Sequence, residues 1–232
     1  MINIQPIEKR RSFDDGSILE VHSIFSTIQG EGPFAGRPAI FIRLAGCNLQ
    51  CPSCDTEYTE GRKQLPIEDI ISVIAKIDCA DHTIIVITGG EPFRQNIAPL
   101  VDLLDTCGFV IQIETNGTLA PMQGFVFNPV VVCSPKAGKV HPSLQGYITA
   151  YKYVLSHDSI DPKDGLPILA LNHSASPKVA RPHAGFDGEI YLQPMDAQDH
   201  DTNAANIQAV VNSCLAFGYT LQLQIHKLIG VA

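Results

Sequence analysis

The run Thr83–Pro92, TIIVITGGEP, decides the fold. TIIVIT is a short, unbroken stretch rich in β-branched residues, the pattern of a strand buried in a parallel sheet. Gly89-Gly90 ends it in a tight turn, which leaves Glu91-Pro92 without an account. Upstream, Pro38–Leu44 (PAIFIRL) is the first comparable run, and a helix opens at Pro66 with Ile67, Ile70, Ile71, Ile74 and Ile77 at helical spacing. Downstream, Asn96–Cys107 reads as a helix with Ile97, Leu100, Val101 and Leu104 on one face and Gly108 as its stop. FVIQI (Phe109–Ile113), VVVC (Val130–Cys133), KYVL (Lys152–Leu155) and IYLQ (Ile190–Gln193) are further strands. A last helix carries Ile207, Val210, Val211, Cys214 and Leu215 as far as Gly218. Tyr219, Leu221, Leu223 and Ile225 then alternate as a half-buried final strand. Strands alternating with helices predict an α/β fold with a largely parallel sheet, and periodicity does not say whether that sheet is open or curled.

The polar stretch Asn3–Ser17 sets residues 1–17 apart as a loosely ordered tail before a single domain over 18–232. Asn172–Gly188 reads as a long loop, a place where function often sits. Of the 232 residues, 45% are hydrophobic and 17% charged, enough for a sizeable core and too apolar for disorder. The net charge of −8 argues against a non-specific nucleic-acid or anionic-membrane surface. Neither a membrane-length apolar run nor a signal-peptide pattern is present, so the expected location is cytoplasmic.

Polar clusters follow the strands. They are Arg43 with the cysteines beyond it, Thr88–Pro92, Glu114–Gly117, Ser134–Lys136, Gln193–Asp196 and His226-Lys227. Parallel α/β folds bind ligands at the carboxyl ends of their strands, so these clusters are expected to converge. Cys47-x3-Cys51-x2-Cys54 is the sharpest of them. Four other cysteines, 79, 107, 133 and 214, lie in apolar stretches and read as small hydrophobes. Three thiolates that close together suit one corner of a [4Fe–4S] cubane, with one iron left open, or a zinc site completed by a histidine. The spacing alone leaves both open.

Cys-x3-Cys-x2-Cys after a strand, with Gly-Gly-Glu-Pro at the next strand end, resembles the radical S-adenosylmethionine (SAM) superfamily. Within it the chain is similar to the 7-carboxy-7-deazaguanine synthase family. The match runs through Thr27–Gly32, Phe41–Leu44, Cys54–Thr56, Val86–Pro92, Gln112–Gly117, Ser134–Lys136, Leu192–Pro194 and Gln224–Lys227. The resemblance implies a partial, curved (β/α) barrel. It also implies a [4Fe–4S] cluster, SAM and Mg²⁺ as cofactors, and contraction of 6-carboxy-5,6,7,8-tetrahydropterin to 7-carboxy-7-deazaguanine with loss of ammonia. A flavodoxin- or ferredoxin-like electron donor and a homodimer belong to the same expectation. The competing readings are an activase that makes a radical on a partner protein, and a zinc-binding interaction module.

Site roles follow from the resemblance, each beside a plainer reading. Cys47, Cys51 and Cys54 would hold the cluster and Thr56 the Mg²⁺, the latter on resemblance alone. Ile28, Gln29, Gly30, Glu31, Arg43 and Thr88 would bind substrate. The Glu31 carboxylate suits the paired N–H donors of a pterin edge, where a bare QGEG would be a turn with a solvated glutamate. Arg43, a cation inside an apolar strand, would pair with the substrate carboxylate or with a protein acid. Ser53, Asp55, Gly90, Glu114, Ser134, Pro135, Lys136, Gln193, Pro194, Met195 and Asp196 would line the SAM site. Ser53 departs from the superfamily, where that position is usually aromatic. His226 would orient substrate or be structural, and Glu31, Arg43 and His226 form the catalytic set.

Overall fold

The computed structural model describes residues 3–77, 80, 83–171 and 178–231. Among the described residues there are nine strands: β1 (Ile18–Ile28), β2 (Pro38–Leu44), β3 (Lys63–Pro66), β4 (Ile84–Gly89), β5 (Ile111–Thr115), β6 (Val130–Cys133), β7 (Ile148–Leu155), β8 (Glu189–Pro194) and β9 (Thr220–Leu221). The helices are α1 (Ile67–Ile74), α2 (Ala98–Thr106), α3 (His200–Phe217) and α4 (Ile225–Ile229). The strands form one sheet in the order β3-β1-β2-β4-β5-β6-β7-β8-β9. Every neighbouring pair from β2 to β9 is parallel, and β1 and β3 extend one edge antiparallel. The sheet is open and curved, the partial (β/α) barrel expected.

The period-2 alternation of a strand sorts its side chains onto two faces. On the outer face, Ile40, Ile42 and Leu44 of β2 join Ile85 and Ile87 of β4, Ile111 and Ile113 of β5, Val131 and Cys133 of β6 and Tyr151, Tyr153 and Leu155 of β7. This face packs against Ile70 and Ile74 of α1, Leu100, Val101 and Leu104 of α2 and Val210 of α3. On the inner face, Ala39, Ile84 and Val86 make a small apolar patch with Phe34 and Phe41. One step toward the strand ends, that face turns polar, with Arg43 level with Thr88 in the register.

Four expectations need correcting. A strand missed in the sequence, β1, pairs with β2 from Ile28↔Pro38 to Val21↔Leu44, with a register shift between Val21 and Ser23. The final alternation yields a two-residue β9, and Ile225 opens α4, so His226 and Lys227 lie on a helix rather than at a strand end. Strands and helices alternate only in part: β5 to β6 and β6 to β7 cross over without an α-helix. Glu114 and Thr115 lie inside β5, which starts two residues later than expected. The scattered cysteines also differ from one another: Cys133 is buried, Cys214 half-buried and Cys107 exposed just past α2, while Cys79 lies outside the described residues. Of the loop expected over 172–188, positions 172–177 likewise lie outside them.

Residues 3–17 run beside the cysteine loop, where Ile7 makes a parallel bridge to Cys47. Among the described residues, no helix is long and apolar enough to cross a membrane.

Candidate active site

The carboxyl ends of the parallel strands are stitched together by backbone hydrogen bonds. Gly90 N–H donates to Leu44 O at 3.1 Å, Glu91 N–H to Gly46 O at 3.0 Å and Ser134 N–H to Thr115 O at 2.8 Å. This explains the double glycine. A Cβ on Gly89 would lie 2.1 Å from Leu44 O, and one on Gly90 would lie 1.9 Å from Gly46 O. The turn is therefore fixed by close approach of two backbones, and the Gly90 N–H is already used. Glu91 is fully buried and accepts from Phe93 N–H at 3.0 Å, Thr115 Oγ1 at 2.8 Å and Asn116 N–H at 2.8 Å. Its burial pushes its pKa up to about 7 against those three donors. Glu91 ties the β4 and β5 ends together, which is the account the sequence lacked.

Inner-face polar residues form a network around Glu31. Lys152 Nζ pairs with Glu31 and stands 3.7 Å from Glu114. Gln224 Nε2 donates to Glu31 at 2.8 Å, and Gln29 and Gln112 each donate to Glu114 at 3.0 Å. Burial alone would raise the Glu31 pKa, but the Lys152 ammonium and the Gln224 amide bring it down to about 2. Lys152 is raised above the ordinary lysine value, the two carboxylates outweighing its burial. Glu31 is thus an ion-paired, buried carboxylate and not the solvated turn residue of the plainer reading. Two of its four lone-pair positions are taken, which leaves acceptor capacity for a ligand.

Arg43 is held differently from Lys152. Among the described residues it forms no ion pair with a protein acid, and its buried Nε has no hydrogen-bond partner. The guanidinium lies over the Phe25 ring at 5.2 Å. Burial lowers its pKa, while Asp55 and Glu114 are near enough to oppose that. A structural salt bridge, the plainer reading, is not what holds it.

The C-terminal helix brings two further residues in. Gly30 is overlain by His226, whose Nδ1 sits 1.9 Å from where a Cβ would be, and Ile225 N–H donates to Gly30 O at 3.4 Å. Lys227 Nζ bridges Asp55 and Asp196, each at 3.1 Å, and so links two of the expected SAM-side residues. Gln222 Oε1 accepts from Gly32 N–H at 2.5 Å and fixes the same loop from β9's side.

All three clustered cysteines are free, Cys47 and Cys51 buried and Cys54 half-buried. Cys47 Sγ accepts from Leu49 N–H at 3.5 Å and from Asn116 Nδ2 at 3.9 Å. Burial pushes the Cys47 thiol up to about 12, so a metal bound here must displace its proton. Lys136 is close enough to favour the thiolates of Cys51 and Cys54. Lys136 Nζ donates to Ser134 O at 3.1 Å and pairs with Ser134 Oγ, while burial and the like charge of Lys152 lower its pKa. Among the described residues, no three His, Cys, Asp or Glu side chains are close enough to hold one metal ion. The three free thiols are donors of the kind that iron–sulfur clusters take.

The other expected residues are placed as follows. Ile28 ends β1, and Thr88 is level with Arg43 across the β2–β4 pair. Thr56 Oγ1 donates to Asp55 at 3.5 Å, and its carbonyl is taken by Gln5. Ser53 N–H donates to Leu171 O at 3.2 Å, and Pro135 lies between Ser134 and Lys136, buried. Gln193 and Pro194 end β8, with Gln193 Oε1 buried and unpartnered, and Met195 N–H donates to Leu155 O at 2.9 Å.

The sequence pattern described as a 4Fe-4S single cluster domain matches residues 28–120, a span that contains all three cysteines. The 7-carboxy-7-deazaguanine synthase of Rhodospirillum rubrum is 40% identical over 228 residues, covering 94% of this chain and 94% of that protein. This chain belongs to the 7-carboxy-7-deazaguanine synthase family. The family's Rickettsia prowazekii protein is 39% identical over 230 residues, covering 94% of this chain and 90% of its own. The Escherichia coli synthase is 30% identical over 244 residues, covering 91% and 98%. The crystal structure of QueE from Escherichia coli superposes with a TM-score of 0.68 at 26% identity, over 91% of this chain and 96% of that one.

Within that family frame, the structure adds Lys152 and Gln222 to the residues the sequence singled out, and gives partners to Gln112, Gln224 and Lys227, which the sequence named only within longer stretches. Lys152 carried the same signal as Arg43, a cation inside an apolar strand (ITAYKYVL). Gln222 and Gln224 carried none, because their partners are 190 and 193 residues away.

Proposed function

We propose that this chain is a radical SAM lyase that contracts 6-carboxy-5,6,7,8-tetrahydropterin to 7-carboxy-7-deazaguanine, releasing ammonia, in queuosine and deazapurine biosynthesis. The observation that carries the reading is the charge layout of the inner face. Among the described residues, Arg43 makes no ion pair and its Nε has no hydrogen-bond partner, while Glu31 of the same site is held as a carboxylate by Lys152. That is the complement of a ligand with a carboxylate at one end and paired N–H donors at the other.

Cys47, Cys51 and Cys54 would hold a [4Fe–4S] cluster, which together with SAM would supply the one-electron chemistry the reaction needs at substrate C6. The chain's own residues do the rest. Arg43 receives the substrate carboxylate, and Thr88 lies next to it. Glu31 and Gln29 accept the N–H groups of the aminopyrimidinone edge. Lys152 keeps Glu31 ionised through the working pH range, so the acceptor is never lost to protonation. His226, seated on Gly30, closes the pocket and helps keep water out. Ser134, Lys136, Asp55, Glu114 and the segment Gln193–Asp196 line the SAM side, with Lys227 bridging Asp55 and Asp196. Thr56 would offer one oxygen to a Mg²⁺, a cation usually held by few protein groups. A flavodoxin- or ferredoxin-like donor, a homodimer and a cytoplasmic location complete the proposal.

The test is turnover by anaerobically reconstituted protein given SAM, Mg²⁺, a reductant and the carboxytetrahydropterin. Ammonia and the deazaguanine acid should form in equal amounts. Iron-loaded protein that cleaves SAM yet forms neither product would reject the substrate assignment.

A further inference from the structure

We propose that residues 3–8 are a strap that positions the three-cysteine loop and governs how firmly it keeps its cluster. The inference rests on the cluster reading above and goes beyond it, since these residues lie outside every expected site.

The loop from Cys47 to Tyr58 is irregular, so most of its backbone groups find no partner inside a helix or strand and must be satisfied from outside. The N-terminal segment does this along almost the whole loop. Glu8 N–H donates to Cys47 O at 2.7 Å, Asn3 Nδ2 to Cys51 O at 3.2 Å, and Asn3 N–H to Pro52 O at 2.9 Å. Gln5 is the centre of the arrangement. Its Nε2 donates to Thr56 O at 2.8 Å, its Oε1 accepts from Tyr58 N–H at 2.9 Å, and its carbonyl accepts from Gln50 Nε2 at 2.6 Å. The strap therefore grips the carbonyls of two of the three ligand residues, and both flanks of the third.

The strap is itself anchored to the rest of the fold. The Glu8 carboxylate pairs with Arg62 at 2.6 Å and with Arg94 at 3.3 Å. Arg94 is almost fully buried, pairs with Glu20 of β1 and donates to Ala45 O at 3.0 Å, just before the loop begins. A Cβ on Gly46 would lie 2.6 Å from Arg94 Nε, so this guanidinium is packed hard against the loop's first turn. One chain of contacts thus runs from β1 through Arg94 and Glu8 to the backbone of Cys47. A segment bonded at that many points restrains the thiols before any metal arrives, which slows the local opening through which iron is lost.

The test compares the wild-type chain with Gln5→Ala, Gln5→Glu and a deletion of residues 2–8, all reconstituted anaerobically. The readouts are the rate of iron release to a chelator, the reduced cluster's electron paramagnetic resonance spectrum with and without SAM, and the thermal midpoint. Gln5→Ala removes two loop hydrogen bonds, and we expect iron release faster by roughly ten- to hundredfold, at about 1 kcal/mol per bond. Gln5→Glu keeps the acceptor for Tyr58 N–H and should fall between. A deletion that prevents folding leaves the two point variants to decide. Iron-release rates and spectra equal to wild type in both would overturn the strap while leaving the proposed reaction intact. Wild-type protein that takes up no iron and sulfide would overturn both.

Discussion

Replacing Lys152 by methionine keeps the length of its stem and removes its charge, and the structure sets the size of the effect. Lys152 is 7% exposed and Glu31 9%, so solvent does little to screen them. Holding Glu31 at about 2, against an ordinary 4.5, corresponds to about 3 kcal/mol at about 1.4 kcal/mol per pH unit. Without the ammonium, the buried Glu31 and the half-buried Glu114 face each other across an uncharged methionine, a change that costs about 3–5 kcal/mol in comparable pairs. We expect Lys152→Met to lose that much stability at pH 7.

The sign of the pH dependence follows from the same shift. A carboxylate whose pKa is lower in the folded chain stabilises it fully above the unfolded value, and that contribution fades as pH falls through the folded one. For Glu31 the fade runs from about 4.5 down to about 2. In the variant, burial raises Glu31 instead, so the variant takes up a proton that the wild type still refuses. The gap between them should be widest near neutrality and narrow as pH falls toward 4.5. Anaerobic urea unfolding followed by far-ultraviolet circular dichroism measures it, since the chain has no tryptophan. The double variant Lys152→Met with Glu31→Gln should recover at least half of the loss. A loss below about 1 kcal/mol at pH 7, or a double variant as unstable as the sum of the singles, would refute the reasoning.

Arg43→Ala should abolish turnover while iron and sulfide content stay at wild-type levels; loss of the cluster would show that Arg43 is structural. Glu91→Ala leaves three buried donors unpaired, at about 1–3 kcal/mol each, so its thermal midpoint should fall by roughly 10 °C or more, as a melting scan would show. Gly30→Ala drives a methyl into His226 and should raise the KM for the pterin several-fold by displacing α4, with the SAM KM little changed.

The parallel strands were legible because each is a short β-branched run, and the Gly218 stop of α3 was legible because it adopts φ 78°. β1 escaped notice because the register shift between Val21 and Ser23 changes the phase of its alternation, and His22, Ser23, Ser26 and Thr27 dilute its apolar content. The final stretch misled in the opposite way. Leu221, Leu223 and Ile225 alternate like a strand, but helix α4 begins at Ile225 and closes on Gly230 at φ 69°. In the site, Arg43 stood out because an apolar strand has no local partner to offer a cation. Lys152 offered the same clue, and Glu31's partners on β7 and at Gln224 could emerge only from the fold.

The alternation along the parallel strands has a practical consequence. Phe41, Arg43, Val86, Thr88, Gln112, Glu114 and Lys152 fall on the inner face by alternation, and most of their immediate chain neighbours pack in the core beneath the helices. Evolution, or a library designed to mimic it, can therefore rewrite what the enzyme recognises by varying every second codon, and leave untouched the interleaved codons that specify how the chain folds.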